Sequence, residues 1–199
     1  YRTAADQYSQ IVLLLPNNPP MHFWKAASFY NLWEDGEKEL AKLETARKTE
    51  IVSANQQNLD AKIDQQKTQN AQSVETALNE FTIALSQGFK PVEVYRFRAF
   101  IYFKQKKYDM ALADVDKGLA IDPKDLLFLK DKGEINLERK SYPAALDALQ
   151  KAAKVAPNDA DVQYNMARVY FELKDAKSQG LAAESALAKG TRFPGDAHY

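Results

Sequence analysis

One spacing dominates this chain. Tyr108 returns as Tyr142, Ala111 as Ala145, Pro123 as Pro157 and Asp125 as Asp159, each 34 residues on. Ala99, Gly133 and Ala167 recur on the same period, as do Phe103, Leu137 and Phe171. A unit of that length is too short to bury its own apolar face and must bury it against the next copy, which is how a helical solenoid is built. In 92–125, Tyr95, Ala99, Tyr102 and Phe103 fall at helical spacing. A polar turn follows at 104–107. Tyr108, Ala111, Leu112, Val115 and Leu119 mark a second helix, which Pro123 ends. Residues 126–159 and 160–190 repeat the scheme. The small pairs Ala99 with Ala111 and Gly133 with Ala145 let two helix axes approach to about 8–10 Å, and Tyr95, Tyr102 and Tyr108 fill the groove so formed.

At this point the residues resemble a known family. The tetratricopeptide repeat (TPR) pattern is Trp-x2-Leu-Gly-x2-Tyr, then Ala-x3-Phe, then Pro. This chain has Tyr95-x2-Arg98-Ala99-x2-Tyr102, Ala111-x3-Val115 and Pro123, then Leu129-x2-Lys132-Gly133-x2-Asn136, Ala145-x3-Leu149 and Pro157. The third unit has Gln163-x2-Met166-Ala167-x2-Tyr170 and a weaker second helix, with Gln179 in the alanine slot and Ala186-Leu187 near its end. Arg98, Lys132, Asn136 and Gln179 depart from the pattern without disturbing the period. The resemblance implies an all-α, right-handed superhelical solenoid of helix-turn-helix repeats.

On that register the chain divides as follows. Residues 1–18 are the second helix of a repeat, because Ala4-x3-Tyr8 and Pro16 match Ala111-x3-Val115 and Pro123. Residues 19–91 form a unit with an insertion. Residues 92–125, 126–159 and 160–193 are repeats, and 194–199 start a further helix. Both ends are expected to be cut, leaving apolar surface bare.

The insertion is read from Ala26 and Ala77, which lie 51 residues apart where Ala99 and Ala111 lie 12 apart. It falls near 34–72. It is rich in Glu, Lys, Gln and Ala, with Gly36 its one strong breaker, so a long projecting helical hairpin is expected, turning at 53–58. A polar loop is the alternative reading. The sparse apolar residues Leu40, Leu43, Ile51, Leu59 and Ile63 are its candidate contacts to a partner or to a second copy of the chain.

The chain offers little for catalysis. Its two histidines, His22 and His198, lie in different repeats, so metal-ligand spacing is missing. The seven glycines are scattered, no Gly-x-Ser-x-Gly occurs, and there is no cysteine. Acidic groups at Asp109, Asp114 and Asp116, and at Glu34, Asp35 and Glu37, fit solvated helix faces. No enzyme activity and no cofactor is expected. Twenty-seven basic residues balance 27 acidic ones, and no basic stripe interleaved with aromatics suggests nucleic acid. The longest aliphatic run, 11–15, is too short to span a bilayer, and no basic-then-apolar leader opens the chain. The lack of cysteine suits cytoplasm and periplasm equally.

The expected role is a protein-interaction scaffold. By resemblance to the family, the first helices line the concave face. The inward positions are then Arg96 and Phe100, Lys130 and Glu134, Tyr164 and Arg168, with Phe23 and Ala27 in the unit before. Phe103, Leu137, Phe171 and Tyr30 lie one turn further on. Aromatics mixed with cations are residue types enriched at binding hot spots. Packing between repeats is the alternative for Phe103, Leu137 and Phe171, and plain surface charge for Arg96, Lys130 and Arg168. Some family members grip the C-terminal carboxylate of chaperones with a clamp of Lys, Asn and Arg. Here Phe100 and Asp131 stand in the asparagine slots and Asp161 in a lysine slot, which disfavours that ligand. A structural subunit of a larger assembly, or a regulatory array beside a catalytic domain elsewhere, are the alternatives.

Overall fold

Helix-forming stretches punctuated by proline and short polar turns become helices in the computed structural model, which describes residues 1–188. Nine helices, and no strand, occur among the described residues. They are α1 (Arg2–Leu14), α2 (Pro19–Thr49), α3 (Ser53–Ser86), α4 (Pro91–Lys104), α5 (Tyr108–Ile121), α6 (Leu126–Glu138), α7 (Tyr142–Val155), α8 (Ala160–Glu172) and α9 (Ala176–Ala188). None is long and apolar enough to cross a membrane. The chain divides into two compact units, Tyr1–Val94 and a second that begins at Tyr95. The further helix expected at 194–199 lies outside the described residues, as does the end of the 160–193 unit.

In the first unit, α2 and α3 are 31 and 34 residues long, against 13 or 14 for the other helices. Asn18 caps α2 by accepting from the Met21 N–H at 3.3 Å, and two prolines suit its first turn. Near the base of the pair, Phe81, Ala26, Ala77 and Ala84 are fully buried. Phe23 packs edge-on against Phe81 and Phe89, with centroids 5.8 and 5.6 Å away. Beside them His22 bridges three segments. Its Nδ1 meets Glu80 Oε2 at 2.5 Å and its Nε2 meets the Pro16 carbonyl at 2.8 Å, while Lys25 Nζ holds Glu80 Oε1 at 2.6 Å.

Further along the pair, apolar burial thins to Val74 and Ile63, and a polar node replaces it. Glu37 Oε1 accepts from Trp33 Nε1 at 3.2 Å and from Asn70 Nδ2 at 2.9 Å, and Asn70 Oδ1 accepts from Gln66 Nε2 at 2.7 Å. Gly36 makes room for it: a Cβ there would lie 2.0 Å from Asn70 Oδ1.

The turn falls at 50–52, not at 53–58, which are the first residues of α3. Two β-branched residues, Ile51 and Val52, favour extended backbone, and Glu50 fixes the corner. Its carboxylate accepts from the Val52 N–H at 2.8 Å and from Asn55 Nδ2 at 3.3 Å, and its carbonyl accepts from Gln56 Nε2 at 2.6 Å. The Ser, Asn and Gln residues beyond it are absorbed into helix.

The second unit repeats its own details. Asp125 and Asp159 cap α6 and α8, accepting from Phe128 N–H at 3.1 Å and Val162 N–H at 2.9 Å. The turns after α4, α6 and α8 each place a lysine in the left-handed region, Lys106, Lys140 and Lys174, at φ 58°, 61° and 58°. Each turn closes with the same pair of backbone bonds, for example Lys140 N–H to Leu137 O and Ser141 N–H to Asn136 O, the geometry that satisfies a helix's last carbonyls. Gly133 lets α6 meet α7, since a Cβ there would lie 2.6 Å from Leu149. Leu137, Ala145, Leu149 and Val169 form one buried cluster, and Leu129, Ala152 and Val162 another.

Candidate functional site

The structure distributes the sequence-predicted site residues unevenly. In the first unit, Phe23 is only 3% exposed. It belongs to the core, a correction to its reading as a groove residue. It packs within the Phe81–Phe89 cluster, and Lys90 Nζ covers its ring at 5.3 Å. Tyr30 is half-buried against Trp33, and burial, with the Glu34 carboxylate beside it, pushes its phenol up. In the hairpin, Leu40, Leu43 and Leu59 are half-buried. Ile63 is buried and so unavailable to a partner, a second correction. Ile51 stands 92% exposed at the tip, with Val52 beside it.

In the second unit, two of the candidate cations are locked into joints between successive helical hairpins. Arg96 Nη2 donates to Asp125 Oδ2 at 2.8 Å and its guanidinium lies 5.0 Å from the Phe128 ring centroid. Lys130 Nζ reaches both oxygens of Asp159, at 3.1 and 3.0 Å, and Asp161 Oδ2 at 3.0 Å. Both cations therefore bind the cap, 29 residues later, of the first helix of the next hairpin. Burial works against the Lys130 charge, but the bonds to Asp161 and Asp159 outweigh it and hold its pKa above the ordinary lysine value. Burial would likewise raise Asp159, yet the Val162 N–H and Lys130 keep it low. Phe100 is exposed, with Lys104 Nζ 5.2 Å from its ring centre. Phe103 packs against Tyr108, with centroids 6.1 Å apart.

The remaining candidates converge. Tyr164, Arg168 and Phe171 on α8 line a cleft of about 540 Å³ with Leu137 and Glu138 of α6. Arg168 Nη2 donates to Glu138 Oε1 at 3.0 Å, and Tyr142 Oη donates to Glu172 Oε2 at 3.0 Å, so two charged rims frame an apolar floor. Leu137 is buried there, while Phe171 is 54% exposed. Glu134 stands half-buried one turn before Glu138 on α6.

Sequence reasoning placed Asp131 in a clamp slot where its charge disfavours a carboxylate, but missed its burial. Burial and the neighbouring Glu134 push its carboxyl up to about 6, against the pull of Arg96. It also missed that Asp125 and Asp159, noted only for their spacing, are the anchors of Arg96 and Lys130. The shared period of cation and cap was the available signal. Among the described residues no group of three or more His, Asp or Glu side chains could hold a metal ion.

Comparison with known proteins bears on the repeats directly. The tetratricopeptide repeat model matches residues 92–125, and a second TPR repeat model matches 133–174. Residues 92–125 and 133–174 are tetratricopeptide repeats. The chain is similar to a protein SGT1 homolog of Bos taurus, 33% identical over 91 residues, covering 46% of this chain and 27% of the relative. It is also similar to Hsp70-Hsp90 organizing protein 2 of Arabidopsis thaliana, 26% identical over 121 residues, covering 59% of this chain and 21% of the relative. The chain thus spans about a quarter of the length of these relatives. Among solved structures, YrrB, a TPR protein, superposes with a TM-score of 0.55 at 14% identity, covering 94% of each chain. The likeness shows the all-α fold of TPR solenoids.

Proposed function

We propose that this chain is a non-enzymatic protein-interaction scaffold, and that its TPR repeats hold a peptide or helical segment of a partner against α4, α6 and α8. The observation that carries this reading is the cleft where Leu137, Tyr164, Arg168 and Phe171 meet. Apolar floors with a few directed polar groups are the usual form of a recognition pocket, and tyrosine and arginine are enriched among the side chains whose truncation costs most binding energy. The similarity to an Hsp70-Hsp90 organizing protein supports a binding role for the repeats. The clamp positions here hold Phe100, Asp131 and Asp161, with Asp161 already on Lys130, so a terminal carboxylate is not the ligand favoured.

The test is selection of displayed random peptides against the protein, followed by rebinding to the Arg168→Glu/Phe171→Ala variant. Cleft-dependent peptides should be lost while the helical circular dichroism is kept. Selected peptides that bind both proteins equally place the site elsewhere.

A second reading rests on the hairpin. In the TPR register α2 and α3 are one repeat lengthened by 34–72, and its tip exposes Ile51 and Val52. Exposed β-branched residues at the end of a long arm suit a contact with a partner or a second copy, as in a subunit of a larger assembly. Light scattering of the intact protein and of an Ile51→Ser/Val52→Ser variant separates these: a dimer that the variant abolishes supports self-association through the hairpin. A regulatory array within a longer protein is the third reading, tested by the full-length sequence.

A further inference from the structure

Charge, not shape alone, distinguishes the α6–α8 face. Arg96 and Lys130 are its cations toward the helix N-termini, and both are engaged by carboxylates of Asp125, Asp159 and Asp161. Asp131 and Glu134 add two more carboxylates, and among the described residues neither has a cation in ion-pair contact. Five acids thus stand with two bases. Burial first, then the neighbouring Glu134 and Asp125, raise the Asp131 carboxyl by more than Arg96 and Lys130 lower it.

This acidic end runs into the cleft. On α6, Glu134 and Glu138 lie one turn apart. On α8, Asp161, Tyr164, Arg168 and Phe171 succeed one another at three or four residues and share a face. From Asp161 to Phe171 the helix rises about 15 Å. An extended chain crosses that distance in about four or five residues. At the cleft itself Arg168 pairs with Glu138, Glu172 accepts from the neutral Tyr142 phenol and Lys140 lines the rim, so the two cations there match the two carboxylates and the charge excess lies at the acidic end.

We propose that this groove selects a basic segment of a protein partner, with an apolar side chain in the cleft beside Phe171 and a Lys or Arg about four residues away over Asp131 and Glu134. The inference rests on the groove reading above and adds the chemistry of the occupant. A cation there supplies the missing counter-charge. A glutamate or phosphate in the same place meets like charge, which costs affinity and slows encounter.

The test uses three fluorescein-labelled peptides of equal length. Each carries one central Phe and differs only four residues away, where it has Lys-Lys, Gln-Gln or Glu-Glu. Fluorescence anisotropy against the whole protein should rank Lys above Gln above Glu, with about tenfold between the extremes, and the spread should shrink as salt is raised. In the Asp131→Asn/Glu134→Gln variant the Lys peptide should lose most of that advantage, while the Gln peptide keeps its affinity. Equal binding of the three peptides, or an unaltered ranking in the variant, overturns the inference and leaves the groove reading in place. If none of the three binds although selected peptides do, the inference falls alone. If no peptide of either kind binds, both fall together.

Discussion

The α2–α3 hairpin and the repeats of α4–α9 are both antiparallel helix pairs, yet they are held in opposite ways. The repeats distribute their stability. The same cap, the same cap-to-cation bond and the same left-handed lysine turn recur, and buried alanine, leucine and valine line the successive interiors together with Ile101 and Phe128. The hairpin concentrates its stability. A dense base around Phe81, His22 and Glu80 gives way to one polar node at Gly36, Glu37 and Asn70, and then to exposed ion pairs such as Arg47 with Asp60 at 2.6 Å. Exposed pairs of that kind contribute little. A repeated architecture tolerates the loss of one joint, whereas the hairpin depends on two.

The comparison can be broken most forcefully at the base. Glu80→Ala leaves His22 and Lys25 without their buried partner and should cost about 3–5 kcal/mol in urea unfolding. Both tryptophans lie in α2, so their fluorescence reports the first unit and should show the lowered midpoint directly. A loss below 1 kcal/mol would show that the base is not where the hairpin is held.

Gly36→Ala comes next. Its Cβ would displace Asn70 Oδ1, and crowding of this kind costs about 1–3 kcal/mol. Hydrogen exchange of α2 and α3 should accelerate beyond the node more than at the base.

In the repeats, Asp125→Ala and Asp159→Ala each remove a cap and an ion pair and should each cost about 1–2 kcal/mol. If the two joints are equivalent, the values agree closely. A large disparity would show that one repeat carries the array.

The smallest effect is a gain. Asp131 has its carboxyl raised to about 6, so the folded state holds a proton that the unfolded state, at about 3.9, has released. Stability therefore falls as pH rises from about 4 to 6, and stays lowered above that. Asp131→Asn should be more stable than the wild type by about 1 kcal/mol at neutral pH, with the difference vanishing below about pH 4. Denaturation at both pH values checks the sign. The same substitution is expected to weaken a basic ligand, so stability and binding would move in opposite directions.

The period made the hairpins of the second unit legible, because it records which residues must meet a neighbouring copy. It also pointed to helices in 34–72, since almost nothing there breaks one. It did not reveal burial. Phe23 and Ile63 look like surface candidates until a second helix is laid over them, and hydrophobicity alone does not distinguish a core face from a contact face. The turn was misplaced because Ser, Asn and Gln signal turns in composition, whereas Glu50 and two β-branched residues create one in geometry. The left-handed lysines were invisible for a similar reason: lysine carries no preference for that backbone region, and the closing hydrogen bonds impose it. The joints of Arg96 and Lys130 were recoverable in principle, since cation and cap share one period. The cation and the carboxylate are the fifth and last residues of the units 92–125 and 126–159, and spacing alone does not tell that the last residue caps the next helix and turns back to the fifth.

The Gly36–Asn70 node has a mechanical consequence. Asn70 is buried and its amide bonds Glu37 across the pair. Sliding one helix along the other would strand that amide without water or partner, and register in such pairs is often fixed by a single buried polar residue. A pair that cannot slip behaves as a strut rather than a zipper. A load applied at Ile51 and Val52 is carried along the arm to the Phe81 base, and the distance between tip and base stays set under that load.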